Sequence, residues 1–286
     1  MWTPCVLLSA TMKTIGVIGL GIIGGTWTKH YEAAGVLAGC WNRTPQPARP
    51  HWMDTPEKVV DAADVVQIVV ADPPAVQGVL NRILPRLGPG KIVIQSSTID
   101  PDSSDRFRAQ VEARGARYLE APFTGSKPAA EQGKTVFYLG GSGDLVAAVL
   151  PLLELVSEKR LLIAAEPRKA AALKLAMNLN LAIMIEGLCE ALTFARRAGI
   201  SDDTFFDALS GNVGYSPLAK LKESKLRTAD FAPQFSVKHM HKDMRLASGA
   251  AGTGRLPLLE AARERLRLAE EGGSADLDFS AIMKLL

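Results

Sequence analysis

The stretch Thr14-Ile15-Gly16-Val17-Ile18-Gly19-Leu20-Gly21-Ile22-Ile23-Gly24-Gly25 decides the fold. Thr14–Ile18 is apolar and β-branched enough to read as a strand, and Gly19, Gly21 and Gly24 form a GxGxxG turn that leads into a helix. In such a turn the first glycine permits the sharp bend and the second lets the backbone approach a pyrophosphate. The third allows close helix–strand packing, with the phosphate at the helix N-terminus. A lone GxGxxG is weak, but here a strand precedes it, a helix follows it and the next strand, Leu37–Trp41, arrives on schedule, which together predict a dinucleotide site. At the end of that second strand an NAD-preferring site would carry Asp or Glu; the chain instead reads Trp41-Asn42-Arg43-Thr44. Arg43, with Asn42 and Thr44 as hydrogen-bonding neighbours, fits a 2′-phosphate, so NADP(H) is expected to be preferred over NAD(H). The alternative is an Arg43 that stacks on adenine or is simply solvated.

Outward from this motif, short apolar runs alternate with helical stretches as far as Ile163. The expected strands are Thr14–Ile18, Leu37–Trp41, Val65–Val70, Lys91–Gln95, Arg117–Leu119, Val136–Leu139 and Leu161–Ile163. The runs Ile15–Ile18, Val65–Val70 and Ile92–Ile94 are continuously apolar, as a sheet covered on both faces requires. Past Pro167 the pattern changes. Arg168 to Gly199 reads as one helix, about 45 Å long at 1.5 Å per residue, and Asp202–Ser210, Pro217–Lys225, Val237–Ala251 and Pro257–Glu270 all have helical periodicity. The expected fold is α/β: a Rossmann-type doubly wound parallel sheet followed by an all-α C-terminal domain, joined by the long helix. Residues 1–11 read as an extension, 12–167 as the dinucleotide domain and 168–286 as the helical domain.

Composition narrows the function classes. With 286 residues, 47% hydrophobic and 22% charged, the chain is expected to be globular. The net charge of +3 (33 Lys+Arg against 30 Asp+Glu) is too small and too evenly spread to suggest nucleic acid as the main partner. A small anionic ligand fits it. Three widely spaced cysteines, Cys5, Cys40 and Cys189, indicate neither a disulfide framework nor a zinc site, so a cytoplasmic, reducing compartment is the default expectation. No uncharged apolar run approaches the roughly 20 residues of a bilayer span, and no membrane association is expected.

In open α/β sheets ligands sit beyond the carboxyl ends of strands. Three segments meet that condition: Ala71-Asp72-Pro73-Pro74, Ser96-Ser97-Thr98 and Ala121-Pro122-Phe123-Thr124-Gly125-Ser126. Hydroxyls and free N–H groups of a Thr-Gly-Ser turn can hold a carboxylate, although such loops are also ordinary turns. On the long helix, Lys174 and Asn178 are one turn apart on one face among Ala172, Leu173, Leu175 and Ala176, with Asn180 following. A helical lysine usually snorkels to solvent; a desolvated one has a lowered pKa, which suits a general acid/base near neutral pH. In Phe235-Ser236-Val237-Lys238-His239-Met240-His241-Lys242-Asp243, the histidines are two apart, the wrong spacing for one helix face, and no metal site is expected. Lys242 and Asp243 would, taken alone, read as a solvated helix turn.

Together the segments GVIGLGIIGG, WNRT, ADPPA, SSTID, EAPFTGS, LKLAMNLN, FSVKHMHKDMRLA and the terminal Asp276-Leu277-Asp278-Phe279-Ser280-Ala281-Ile282 resemble the β-hydroxyacid dehydrogenases. The branch they most resemble is the NADPH-dependent glyoxylate/succinic semialdehyde reductases. The resemblance runs from Met12 almost to the C-terminus. It implies Lys174 as catalytic lysine with Asn178 as its partner, and a cofactor set of Gly19, Leu20, Gly21, Ile22, Ile23, Gly24, Asn42, Arg43, Thr44, Ala71, Asp72, Thr98 and Lys242. It further implies a substrate set of Thr124, Gly125, Ser126, Phe235 and Asp243, a small carboxylate-bearing aldehyde or hydroxy acid as substrate, and a homo-oligomer, dimer or tetramer. Three other readings stand beside it: a 3-hydroxyisobutyrate-like dehydrogenase working oxidatively, a dehydrogenase-like module that binds dinucleotide without catalysis, and an imine reductase-like enzyme, against which Lys174 argues. Phe123 and Thr124 stand where the family usually has Val and Ser, which predicts a narrower pocket. Pro167-Arg168-Lys169-Ala170 replaces a glycine-rich approach to the lysine, which predicts a stiffer interdomain turn.

Overall fold

A computed structural model describes residues 12–252 and 256–286; the extension 1–11 lies outside them. The chain divides into two compact units. The first comprises residues up to Val70, Pro74–Ser97 and Phe107–Glu166; the second comprises Ala71–Pro73, Thr98–Arg106 and Pro167–Leu286.

Up to Ala164 the chain alternates strand and helix: β1 (Ile15–Ile18), α1 (Gly24–Ala33), β2 (Leu37–Trp41), α2 (Pro56–Ala62), β3 (Val65–Ile68), α3 (Pro73–Ile83), β4 (Ile92–Gln95), α4 (Pro101–Glu112), whose first half groups with the second unit, and β5 (Arg117–Glu120). It continues through β6 (Phe123–Thr124), α5 (Lys127–Glu131), β7 (Thr135–Gly140), α6 (Gly143–Glu154) and β8 (Ser157–Ala164). The sheet order is β2-β1-β3-β4-β5-β7-β6, with β8 also on β7. β1 to β5 are parallel, so chain direction across the sheet reverses between β1 and β3, the switch point at which doubly wound folds hold ligands. The far edge departs from an all-parallel reading, because β7 runs antiparallel to β5 and to the two-residue β6. Buried Val17, Ile94, Leu119, Leu139 and Leu152 form the core, and β1, β3 and β4 are buried at every position.

Phe123, half-buried, packs against that core. Its ring meets Trp27 at 4.7 Å and 66°, and Phe137, its cross-strand partner, at 6.2 Å. Adjacent strand residues point to opposite faces, so Phe123 packs inward while Thr124 faces away, where its hydroxyl is hydrogen-bonded to Tyr138. The bulk of Phe123 fills the space beside Trp27. Phe123→Val is expected to lower unfolding stability by about 1–2 kcal/mol through lost packing, read by urea denaturation, with aldehyde KM unchanged. An altered KM at unchanged stability would place the ring in the substrate pocket instead.

The second unit is helical: α7 (Pro167–Arg197), α8 (Asp202–Ser210), α9 (Pro217–Thr228), α10 (Val237–Ala250) and α11 (Pro257–Ala269), then a π-turn at Glu270–Ser274 and a 3-10 segment at Phe279–Leu285. Pro167 opens α7, where its missing N–H costs nothing. Residues 167–170 are thus the first helical turn, not the interdomain turn expected from the sequence. Gly199, at φ +78, lies just past the end of α7, in the left-handed conformation common after helix C-termini. α7 is long and apolar enough to cross a membrane by length and composition, with a window of mean hydropathy 1.4. In this structure Ala182, Ile185, Cys189 and Leu192 on its inner face pack into a core with Met240, Met244, Leu259 and Leu266.

Candidate active site

α7 buries Lys174 and Asn178 at positions that the 3.6-residue period assigns to its inner face. Lys174 is 9% exposed and Asn178 2%. Lys174 Nζ donates to Asn178 Oδ1 at 2.9 Å, and Asn178 Nδ2 donates to Asp243 Oδ2 on α10 at 2.5 Å. An amide between an ammonium and a carboxylate has only one satisfied orientation, so Asp243 fixes the carbonyl oxygen toward the lysine. The second Asp243 oxygen lies 2.7 Å from Lys242 Nζ as an ion pair, without a well-directed hydrogen bond. Lys242 Nζ also donates to the Thr98 carbonyl at 2.9 Å.

Burial lowers the Lys174 ammonium to about 8; Asp243 opposes this and Lys242 adds to it. A lysine with that value exchanges a proton near neutral pH, which a solvated lysine does not. Lys242 and Asp243 are therefore part of a buried network, not a solvated turn. Asp243 is 1% exposed and spends its carboxylate on Asn178 and Lys242. Asp243 was expected to line or close the substrate site; its two oxygens face Asn178 and Lys242. Asn180 is exposed, bonds the Met184 sulfur and stands outside the network.

In the first unit the glycines at β1–α1 discriminate among themselves. A Cβ on Gly19 (φ +104) would meet the Val69 carbonyl oxygen at 2.1 Å, and one on Gly24 would meet the Gly19 oxygen at 2.0 Å. Gly21 faces nothing within 4 Å. Two glycines are thus required by the protein's own backbone, and the middle one leaves open space, as approach of a pyrophosphate needs. The α1 N-terminus has no side-chain cap, with Ile23 at the N-cap, so its N–H groups suit an anion. Leu20 is buried; Gly21 and Ile22 are exposed. The residues present fit a dinucleotide.

Asn42 joins the glycine loop to the loop after β2. Its Oδ1 accepts from Leu20 N at 3.1 Å and its Nδ2 donates to the Thr44 carbonyl at 3.0 Å, so it braces the glycine loop against the β2 loop. Arg43 and Thr44 are exposed beside it. After β3, Ala71 is exposed and Asp72 half-buried; after β4, Thr98 is half-buried. Gly125 has φ +135, and a Cβ there would crowd Thr135 Cγ2 at 3.1 Å; Ser126 begins α5 without using its hydroxyl as a cap. Phe235 is half-buried, stacked parallel to His239 at 6.4 Å.

Sequence reasoning missed two buried polar groupings. Gln95 Nε2 bonds Glu120 Oε1 at 2.9 Å and the Ser97 carbonyl at 2.8 Å, tying the loop after β4 to the strand that leads into Thr124–Ser126. Lys222 on α9 pairs with Asp278, and both are almost wholly buried. The signal for the second was present: Leu218, Ala219, Lys222 and Leu226 follow a helical stripe, so Lys222 falls on the apolar face.

A glycine loop fitted to a pyrophosphate and a buried lysine of lowered pKa define a nicotinamide-dependent oxidoreductase. Residues 14–164 match the NAD binding domain of 6-phosphogluconate dehydrogenase, and residues 169–286 match the NAD-binding family of NADP-dependent 3-hydroxyisobutyrate dehydrogenase. The chain belongs to the 3-hydroxyisobutyrate dehydrogenase-like family of NAD(P)-dependent hydroxyacid dehydrogenases and reductases. It is 28% identical to glyoxylate/succinic semialdehyde reductase 1 of Arabidopsis thaliana over 94% of this chain and 97% of the relative. It is also 28% identical to the cytokine-like nuclear factor N-PAC of Danio rerio, of which it spans 62%. Among solved structures, the 3-hydroxyisobutyrate dehydrogenase of Mycobacterium tuberculosis, solved with L-serine, superposes with a TM-score of 0.87 at 27% identity, covering 96% of this chain and 99% of that one.

Proposed function

We propose that this protein is an NADPH-dependent reductase of small carboxylate-bearing aldehydes, such as succinic semialdehyde or glyoxylate, in which Lys174 is the proton donor. The observation that carries the reading is the buried chain Lys174–Asn178–Asp243. The bound nicotinamide supplies hydride to the carbonyl carbon. Lys174 Nζ gives a proton to the developing alkoxide, and Asn178 Oδ1, held by Asp243, keeps the ammonium directed as the charge moves. Thr124, Gly125 and Ser126 hold the substrate carboxylate, Phe235 offers an apolar wall, and Arg43 receives the 2′-phosphate. Two relatives named as glyoxylate/succinic semialdehyde reductases, at 28% and 29% identity, support the substrate class. The retained lysine favours catalysis over a binding module.

The pH dependence tests the lysine. Reduction needs the ammonium, so its rate is expected to be level at low pH and to fall as pH rises through about 8. Oxidation of the hydroxy acid needs the neutral amine, and its rate is expected to rise through the same value. Steady-state profiles in both directions check this. Two limbs of the same sign, or no inflection between about pH 7 and 9, would remove Lys174 from the proton transfer.

A further inference from the structure

We propose that the buried Lys222–Asp278 pair is a positioning element of the reduction site: it sets the loop 230–236 and the first turn of α10, and through α10 the placement of Asp243 against Asn178. The inference rests on the proposed reduction chemistry for its kinetic consequences, and on geometry alone for its structural ones.

α10 begins at Val237 without a side-chain cap, because the hydroxyl of its N-cap residue, Ser236, is engaged with His239 Nδ1 at 2.7 Å. The first N–H groups of a helix must find acceptors elsewhere. Here the C-terminal segment supplies them: Val237 N donates to the Leu277 carbonyl at 2.9 Å and Lys238 N to the Ala275 carbonyl at 3.0 Å. The reverse bonds, Asp278 N to Phe231 O and Phe279 N to Phe235 O, are both 2.8 Å. The helix that carries Lys242 and Asp243 is therefore hung from residues 275–279.

One carboxylate holds that segment in place. Asp278 accepts from Gln234 N at 3.0 Å, Phe235 N at 3.3 Å, Ser280 N at 3.2 Å and Ser280 Oγ at 2.7 Å. Lys222 Nζ meets both its oxygens at 2.8 and 2.9 Å, reaches Gln234 Oε1 at 3.1 Å and lies 4.6 Å from the centroid of the Phe279 ring. Phe279 in turn packs edge-on against Phe235 at 5.9 Å. A buried ion pair is a poor source of net stability, since well-packed apolar residues often serve as well or better. What this pair adds is direction: it orders the backbone donors of the loop that presents Phe235 and launches α10.

The test compares the wild type with Asp278→Asn and with the double variant Lys222→Met/Asp278→Asn. The double variant removes both charges together and leaves no uncompensated ion, so it is expected to stay folded. Two readouts are taken: KM and kcat for succinic semialdehyde, and the pH dependence of reductive methylation of Lys174 by formaldehyde and cyanoborohydride, followed by mass spectrometry. In the folded variants KM is expected to rise about tenfold or more while NADPH affinity stays within about twofold. The apparent pKa of Lys174 is expected to fall below the wild-type value, because Asp243, which holds it up, is displaced. A pair with only a structural role would lower the melting temperature and leave both KM and the Lys174 profile unchanged, and that result overturns the proposal. If the wild type reduces none of the aldehydes, the reduction reading fails by itself. The methylation profile then still decides whether the pair places Asp243.

Discussion

Lys174→Met is expected to lower kcat for aldehyde reduction by about a thousandfold or more, the upper range for loss of a general acid, while NADPH affinity stays at the wild-type value. The same variant is expected to be the more stable protein. Holding an ammonium whose folded pKa is about 8 instead of 10.5 costs about 3 kcal/mol at neutral pH, from 1.36 kcal/mol per unit. The unfolded state binds more protons between those two values, so wild-type stability rises with pH across that window; below it the full cost is present. The methionine variant lacks this dependence. Calorimetry at pH 7 and pH 10 would show a gain for the variant at the lower pH that shrinks at the higher one. A variant that is inactive but less stable at pH 7 would mean that Lys174 serves packing more than proton transfer.

Arg43→Ala is expected to reduce kcat/KM for NADPH by about 10- to 100-fold, the loss of a charge-assisted contact of 1.5–3 kcal/mol, and to leave NADH nearly untouched. Asn42→Ala provides the contrast. Asn42 braces Leu20 against Thr44, so its removal is expected to weaken both cofactors alike. Initial rates with each cofactor separate the two residues. Equal losses for NADPH and NADH in Arg43→Ala would show that Arg43 does not read the 2′-phosphate.

The glycine loop and the helix that carries Lys174 were legible because each is written in local spacing. Gly19 and Gly24 sit where backbone oxygens leave no room for a Cβ, and Lys174 and Asn178 fall one helical turn apart on a face whose other members are apolar. What the sequence could not show depended on direction. Phe123 and Thr124 look alike as pocket substitutions, yet alternation along a two-residue strand sends one to Trp27 and the other to Tyr138. Asp243 reads as a polar site residue; only the approach of α10 to α7 makes it the partner of Asn178. The antiparallel turn of β7 leaves no trace in composition, because strand polarity at a sheet edge is set by long-range pairing. Asp278 was visible as part of a motif, but its partner Lys222 lies 56 residues away.

NADPH oxidation by the wild type, measured over succinic semialdehyde, glyoxylate, methylmalonate semialdehyde, tartronate semialdehyde and a cyclic imine, is expected to be fast with a carboxylate-bearing aldehyde and absent with the imine. Tight NADPH binding with no turnover of any aldehyde, or turnover of the imine alone, would contradict the proposed function.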